Sequence, residues 1–223
     1  HSLPALLLPW SLFFLSIGLA VGAWRLTSLS VETAARDEFT FNAHSIRSRI
    51  SDRMRDYEQV LRGAAGFIHA SNDVTREEWQ RYVATLKLSE SFPGIQGVGF
   101  AEYLRSEAEK SRFEQEVRLE GFPEFVVKPE GERSAYMAIK YLSPFDWRNQ
   151  RAHGYDMFSE ELRRKALTLA RDEGITSVSG KIVLVQETDV GQQAGFLMYL
   201  PIFDVEVNPQ TVEERRAAMR GVV

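Results

Sequence analysis

The chain has 223 residues, no cysteine, and a formal net charge of −4 from 27 basic and 31 acidic side chains. That balance excludes nucleic acid as a partner, because phosphate binding wants a basic face. The lack of thiols excludes a disulfide framework and a cysteine-built metal site, and it suits an oxidising compartment such as a bacterial periplasm.

Leu3 to Trp24 carries no Asp, Glu, Lys or Arg. Roughly 22 residues at about 1.5 Å rise span about 33 Å, enough for a bilayer's hydrocarbon core. Arg25 ends the run, and Trp10 and Trp24 suit its polar boundaries. A signal peptide has a shorter apolar part and an A-x-A cleavage pattern, and a buried core helix is shorter too. Residues 1–25 are therefore expected to be a transmembrane helix. The chain begins with His1 rather than Met and is read as a fragment. Arg25 and Arg36 are too few to orient the helix.

A second helix is expected over residues 26–72. Phe39, Ala43, Ile46, Ile50, Met54, Tyr57, Leu61, Ala64 and Ile68 follow one another at steps of three or four, a sustained helical stripe. Such a helix, directly after a membrane span, reads as a stalk. Its stripe either packs on its own domain, towards Ile68 above all, or pairs with a second copy as a coiled coil.

Residues 73–143 predict a first α+β lobe. Thr75-Arg-Glu-Glu78 is a capping box opening a helix with Trp79, Tyr82, Val83 and Leu86 on one face. Phe92-Pro93-Gly94 breaks it, and Val98–Tyr103 follows as a strand. A second box at Ser106–Glu109 opens a helix that stops at Gly121. Phe122–Lys128 and Tyr136–Leu142 are strand-like. The run Gly94-Ile-Gln-Gly-Val-Gly99 lacks the dinucleotide-binding spacing and opens a strand, so turn and strand packing is its expected role.

Residues 144–223 predict a second lobe. Asp156 or Ser159 caps a helix over 158–173, which Gly174 ends. Thr176–Ser179, Lys181–Gln186 and Gly195–Phe203 are strands, and Thr211-Val-Glu-Glu214 is a third capping box for a helix reaching Arg220. The fold class is thus α+β, with a transmembrane helix running into a stalk and then two lobes with antiparallel sheets. No catalytic motif is present: no H-E-x-x-H, G-x-S-x-G, S-x-x-K or Walker loop. His44, His69 and His153 are isolated. No enzymatic activity, cofactor or metal is expected of these residues.

Gly154-Tyr-Asp-Met157-Phe-Ser159, Ala170-Arg-Asp-Glu-Gly174, Ser179-Gly-Lys-Ile-Val-Leu-Val-Gln-Glu187 and Gly195-Phe-Leu-Met-Tyr-Leu-Pro201 resemble the CHASE domain. Phe92-Pro-Gly-Ile-Gln-Gly-Val-Gly-Phe100 is similar to that family's first-lobe strand. This is the extracytoplasmic sensory domain of bacterial histidine kinases and cyclic-di-GMP enzymes and of plant cytokinin receptors. The resemblance implies PAS-like lobes, with a small-molecule pocket in the membrane-proximal one, here the second. It also implies a closing strand that would begin near Arg220 and is expected to be missing, a second span and a cytoplasmic output domain.

In the plant receptors an acidic residue on the second-lobe helix holds the adenine ring. Arg163 stands in the matching place, a charge reversal that weighs against cytokinin and suits an anionic ligand. The resemblance carries Met157, Ser179, Val185 and Tyr199 to the remaining pocket positions. The expected protein is a sensor in the inner membrane, its domain periplasmic or extracellular, homodimeric through the stalk. Two rivals stand beside it: an anchored enzyme with an unrecognised site, and a protein-interaction module whose pocket is filled by Met157, Phe196 and Tyr199.

Overall fold

The computed structural model describes residues 3–71, 73–184 and 194–223, with the backbone alone at 3–9, 26, 29–31, 33–35 and 194. By contacts the chain divides after Met54. Helix α1, Leu3–His69, runs through the division. In the first unit Trp10, Phe13, Phe14, Phe39, Ile46 and Ile50 are exposed. Among the described residues no helix is long and apolar enough to cross a membrane. The side chains at the start of the apolar run lie outside the described ones.

In the unit Arg55–Val223 the same helical stripe turns inward. Val60, Leu61, Ala64, Ala65 and Ile68 are buried. Helix α2 (Arg76–Thr85) starts at the expected capping box, with the Thr75 hydroxyl and the Glu78 carboxylate each taking a backbone amide. Its Trp79 and Val83 pack on the end of α1. A one-turn helix α3 (Leu88–Ser91) precedes the Pro93-Gly94 break. Strand β1 (Val98–Leu104) and helix α4 (Glu107–Leu119) follow.

Phe122–Lys128 is not the strand its sequence predicts. Its backbone groups are claimed by side chains and by a later loop. Arg118 Nε donates to Phe125 O, Val127 N donates to Glu114 Oε1, and Lys128 N donates to Gly154 O. Phe125 and Val127 still point into the core beside Phe113 and Val117. Strand β2 (Tyr136–Ser143) is as expected.

After two 3₁₀ turns (Asn149–Ala152 and Met157–Ser159), helix α5 (Glu161–Glu173) is capped by Glu160, not by Asp156 or Ser159. Asp156 caps the Met157–Ser159 turn instead. Gly174 ends α5 in the left-handed conformation at φ 68°. The expected strands are shorter: β3 (Ser177–Val178) and β4 (Ile182–Val183). Gly195–Phe203 divides into β5 (Ala194–Gly195), β6 (Met198–Tyr199) and β7 (Pro201–Phe203), because each piece finds a different partner, β4, β3 and β8 respectively.

Helix α6 (Val212–Ala218) keeps the third capping box but stops before Arg220. Met219–Val222 is strand β8, where the sequence predicts only the beginning of a missing one. It pairs antiparallel with both β1 and β7, so the main sheet runs β2-β1-β8-β7. Strands expected in separate lobes thus share one sheet. Two side-chain layers cover it. One holds Ala64, Trp79, Phe100, Tyr141 and Ile202, and the other holds Ala101, Met137, Leu167, Tyr199 and Met219.

Gly221 lets β8 enter this sheet. A Cβ there would collide with the Ala101 carbonyl and lie 2.8 Å from the Phe100 ring. Gly221→Ala is expected to lose about 1–3 kcal/mol in urea unfolding, the range for forcing volume into a packed interior. An unchanged midpoint would remove β8 from the centre of the sheet.

His153 is the buried base of this unit. Phe122, Phe125 and Phe145 surround it with ring centroids 4.9, 4.7 and 5.4 Å away. Burial, then the charges of Arg76 and Lys128, lower its pKa to about 4, while a hydrogen bond with the Lys140 backbone pulls the other way. The unfolded chain therefore binds the proton first as pH falls. The stability this imidazole contributes is complete above about pH 6.5 and lost as pH drops towards 4. Between pH 7 and pH 5 that amounts to about 2 kcal/mol. Asp156, raised by burial, titrates with the opposite sign at the acid end. In His153→Phe the urea midpoint is expected to change far less between pH 7 and pH 5 than in the parent. An equal change would place the titrating group elsewhere.

Candidate functional site

A cavity of about 500 Å³ opens between the start of β1 and the α5 side of the sheet. Val98, Phe100, Leu142, Met157, Arg163 and Tyr199 stand on its wall. Most of the lining is apolar, and Arg163 is the one charged side chain among the described lining residues.

Arg163 owes its position to the start of α5. The Glu160 carboxylate accepts Leu162 N at 3.0 Å and Arg163 N at 2.9 Å, which anchors the first turn and takes up two of its free amides. The side chain is 3 % exposed. Its Nη2 donates to Val183 O at 3.1 Å, and the guanidinium lies 4.8 Å from the Tyr155 ring centre. Nε is buried with no hydrogen-bond partner. Among the described residues no carboxylate pairs with it.

Tyr199, 2 % exposed, brings a hydroxyl that is likewise buried and unpartnered. Burial pushes its pKa up, against the opposing charge of Arg163, so it stays a neutral donor. An unpaired buried donor costs about 1–3 kcal/mol, more when charged. Both belong to residues on the cavity wall, and a polar ligand head that reached them would satisfy them.

The five predicted positions fare differently. Met157, Arg163 and Tyr199 lie together on the cavity wall. Ser179 does not line it: its hydroxyl accepts Leu197 N and donates to Gly180 O, both at 2.9 Å, tying the β3 end to the loop before β6. Val185 lies outside the described residues. The sequence reading missed the opposite wall, Val98, Phe100 and Leu142, because it kept the pocket within the second lobe. The Gly94–Gly99 run was the available signal. Gly99 lets β1 approach β2 closely, a Cβ there falling 2.6 Å from Tyr141 O, and the same run borders the cavity.

Among the described residues no cluster of three His, Asp or Glu side chains is placed to hold a metal.

Compared with models of protein families, residues 72–223 match the CHASE domain. The chain belongs to the CHASE family. No curated protein matches it. CHASE domains are extracytoplasmic sensory input modules of signalling proteins and are not themselves catalytic. The match covers α2 to β8, and with them the whole sheet and most of the cavity wall. Tyr57, Val60 and Leu61 of α1, which precede the range matched to the CHASE domain, add to the lining.

Proposed function

We propose that this CHASE domain is a membrane-anchored receptor for a small anionic molecule bound in the cavity beside Arg163, and that binding is transmitted across the membrane to a cytoplasmic output domain. The observation that carries the reading is a cavity of about 500 Å³ lined by Arg163 and Tyr199, each of which has a buried, unpartnered donor. A pocket filled by its own side chains would have favoured an interaction module instead; Met157, Phe196 and Tyr199 stand on the wall of a cavity that keeps about 500 Å³ of space.

The apolar run from Leu3 to Trp24 supports a membrane anchor, and the exposed stripe Phe39, Ile46 and Ile50 supports pairing of two stalks. A ligand shifts such a dimer only by its differential affinity for two states, about 1–3 kcal/mol in typical couplings. The output domain is expected to be a histidine kinase or a cyclic-di-GMP enzyme.

Thermal shift of the full chain against purines, cytokinins, amino acids and small carboxylates tests the receptor. A ligand at 100-fold its Kd stabilises by about 2.7 kcal/mol. Loss of the shift in Arg163→Ala ties it to the cavity. No shift from any compound, together with a protein captured reproducibly by cross-linking, would replace the receptor with an interaction module.

The stalk can be tested separately because the chain has no cysteine of its own. Single cysteines along residues 44–52 are expected to cross-link in membranes with helical periodicity, peaking at Ile46 and Ile50. Uniform or absent cross-linking would sink the paired stalk.

A further inference from the structure

The cavity says more about its ligand than that it is anionic. Resting on the receptor reading above, we propose that the ligand is a monocarboxylate on an apolar body, and that phosphates, dicarboxylates and amines are disfavoured.

Three observations converge on this class. The first is charge. Arg163 is the one charged side chain on the described wall, and its Nε has no partner. A single guanidinium matches a single carboxylate, whose two oxygens take up Nε and the neighbouring Tyr199 hydroxyl. A phosphate or a dicarboxylate brings a second charge, and a helix N-terminus is its usual further support. Here that support is partly spent. The Glu160 carboxylate already holds the Leu162 and Arg163 amides, and its own negative charge stands near the Tyr199 hydroxyl.

The second observation is the lack of an acidic side chain among the described lining residues. An ammonium group buried beside the Arg163 guanidinium would set two like charges together, which is unfavourable. Amines are disfavoured on that ground.

The third is the rest of the wall. Val98, Phe100, Leu142, Met157 and Leu184 offer hydrocarbon and aromatic surface. A ligand body without polar groups gains from burial there.

The test is a head-group series on two bodies, measured by calorimetry and saturation-transfer NMR with the full chain. On an indole body the probes are indole-3-acetate, indole-3-acetamide, tryptamine and tryptophan. On an aliphatic body they are hexanoate, hexanamide, hexylamine and hexyl phosphate. Each carboxylate is expected to bind at least about tenfold tighter than its partners, the factor for one charge-assisted hydrogen bond. Arg163→Met is expected to weaken the carboxylates by about tenfold or more and leave the amides unchanged. Tyr199→Phe, which keeps the ring, is expected to weaken them by a smaller factor.

Amides, amines or phosphates binding as tightly as the acids would overturn the carboxylate assignment and leave the receptor standing. So would acids that bind equally well to Arg163→Met. If no head group on either body binds at millimolar concentration, the carboxylate assignment and the receptor reading fall together. The wild-type series decides the matter even if a variant does not fold.

Discussion

Asp156→Ala is expected to destabilise the domain by about 3–5 kcal/mol, the cost of removing one partner from a buried charged pair. Asp156 is fully buried. Its Oδ1 accepts Met137 N at 2.9 Å and Phe158 N at 3.0 Å, and Oδ2 stands 3.3 Å from Arg133 Nη1. It therefore joins β2 to the turn that carries Met157 into the cavity. Alanine leaves two buried amides without their acceptor and the Arg133 guanidinium without its ion-pair partner.

Asp156→Asn separates the hydrogen bonds from the charge. Its amide oxygen can still accept both amides, so the loss is expected to be about 1 kcal/mol. Burial, working against those two amides and Arg133, raises the aspartate pKa above its ordinary value. The folded state thus holds this proton more tightly than the unfolded chain, and the group's contribution declines as pH rises through the folded value. The asparagine variant is expected to lose that dependence. Urea unfolding of both variants checks this; an alanine variant as stable as the parent would remove Asp156 from the framework of the site.

The second large effect is expected at Trp79. Its side chain is wholly buried, 5.9 Å from Tyr141 in a stacked pair and 6.2 Å from Tyr82. It fastens α2 to the last turns of α1 and to β2 at once. Trp79→Ala is expected to cost about 3–5 kcal/mol, the range for emptying a large aromatic site. In a domain of this size that lowers the melting temperature by about 10 °C.

Trp79→Phe is expected to be much milder. It leaves a ring in place and removes the indole Nε1–H, which is buried without a partner. Equal losses for the two variants would mean that the indole nitrogen, not the packing, holds the helices together.

Local features of this fold were legible because neighbours along the chain decide them. Thr75 with Glu78 and Thr211 with Glu214 form capping boxes, since donor and acceptor lie three residues apart. Gly174 ends α5, because only glycine takes positive φ freely. The stripe at Leu61, Ala64 and Ile68 is buried as helical periodicity requires, with Tyr57 half-buried at its edge. Arg163, Met157 and Tyr199 came from a resemblance in the second half of the chain, and the fold gathers them on one wall.

Strand partnership was not legible. Phe122–Lys128 alternates like a strand, yet Glu114 and Arg118 take its backbone groups. Met219–Val222 reads as the end of a helix and the bare beginning of a closing strand expected to be missing, yet β1 and β7 make it a central strand. Ser179 resembles a pocket residue, but the amide of Leu197 occupies it.

By itself, then, the sequence determined what contacts within a few residues decide: helix starts and stops, the inward face of α1, the lack of catalytic motifs and the family. The tertiary structure alone decided which strands share a sheet, which put Val98 and Phe100 opposite Arg163 and so made the cavity. It also decided that Arg163 and Tyr199 are buried without partners. Pairing and burial depend on groups far apart in the chain, and no local pattern records whether a donor meets an acceptor.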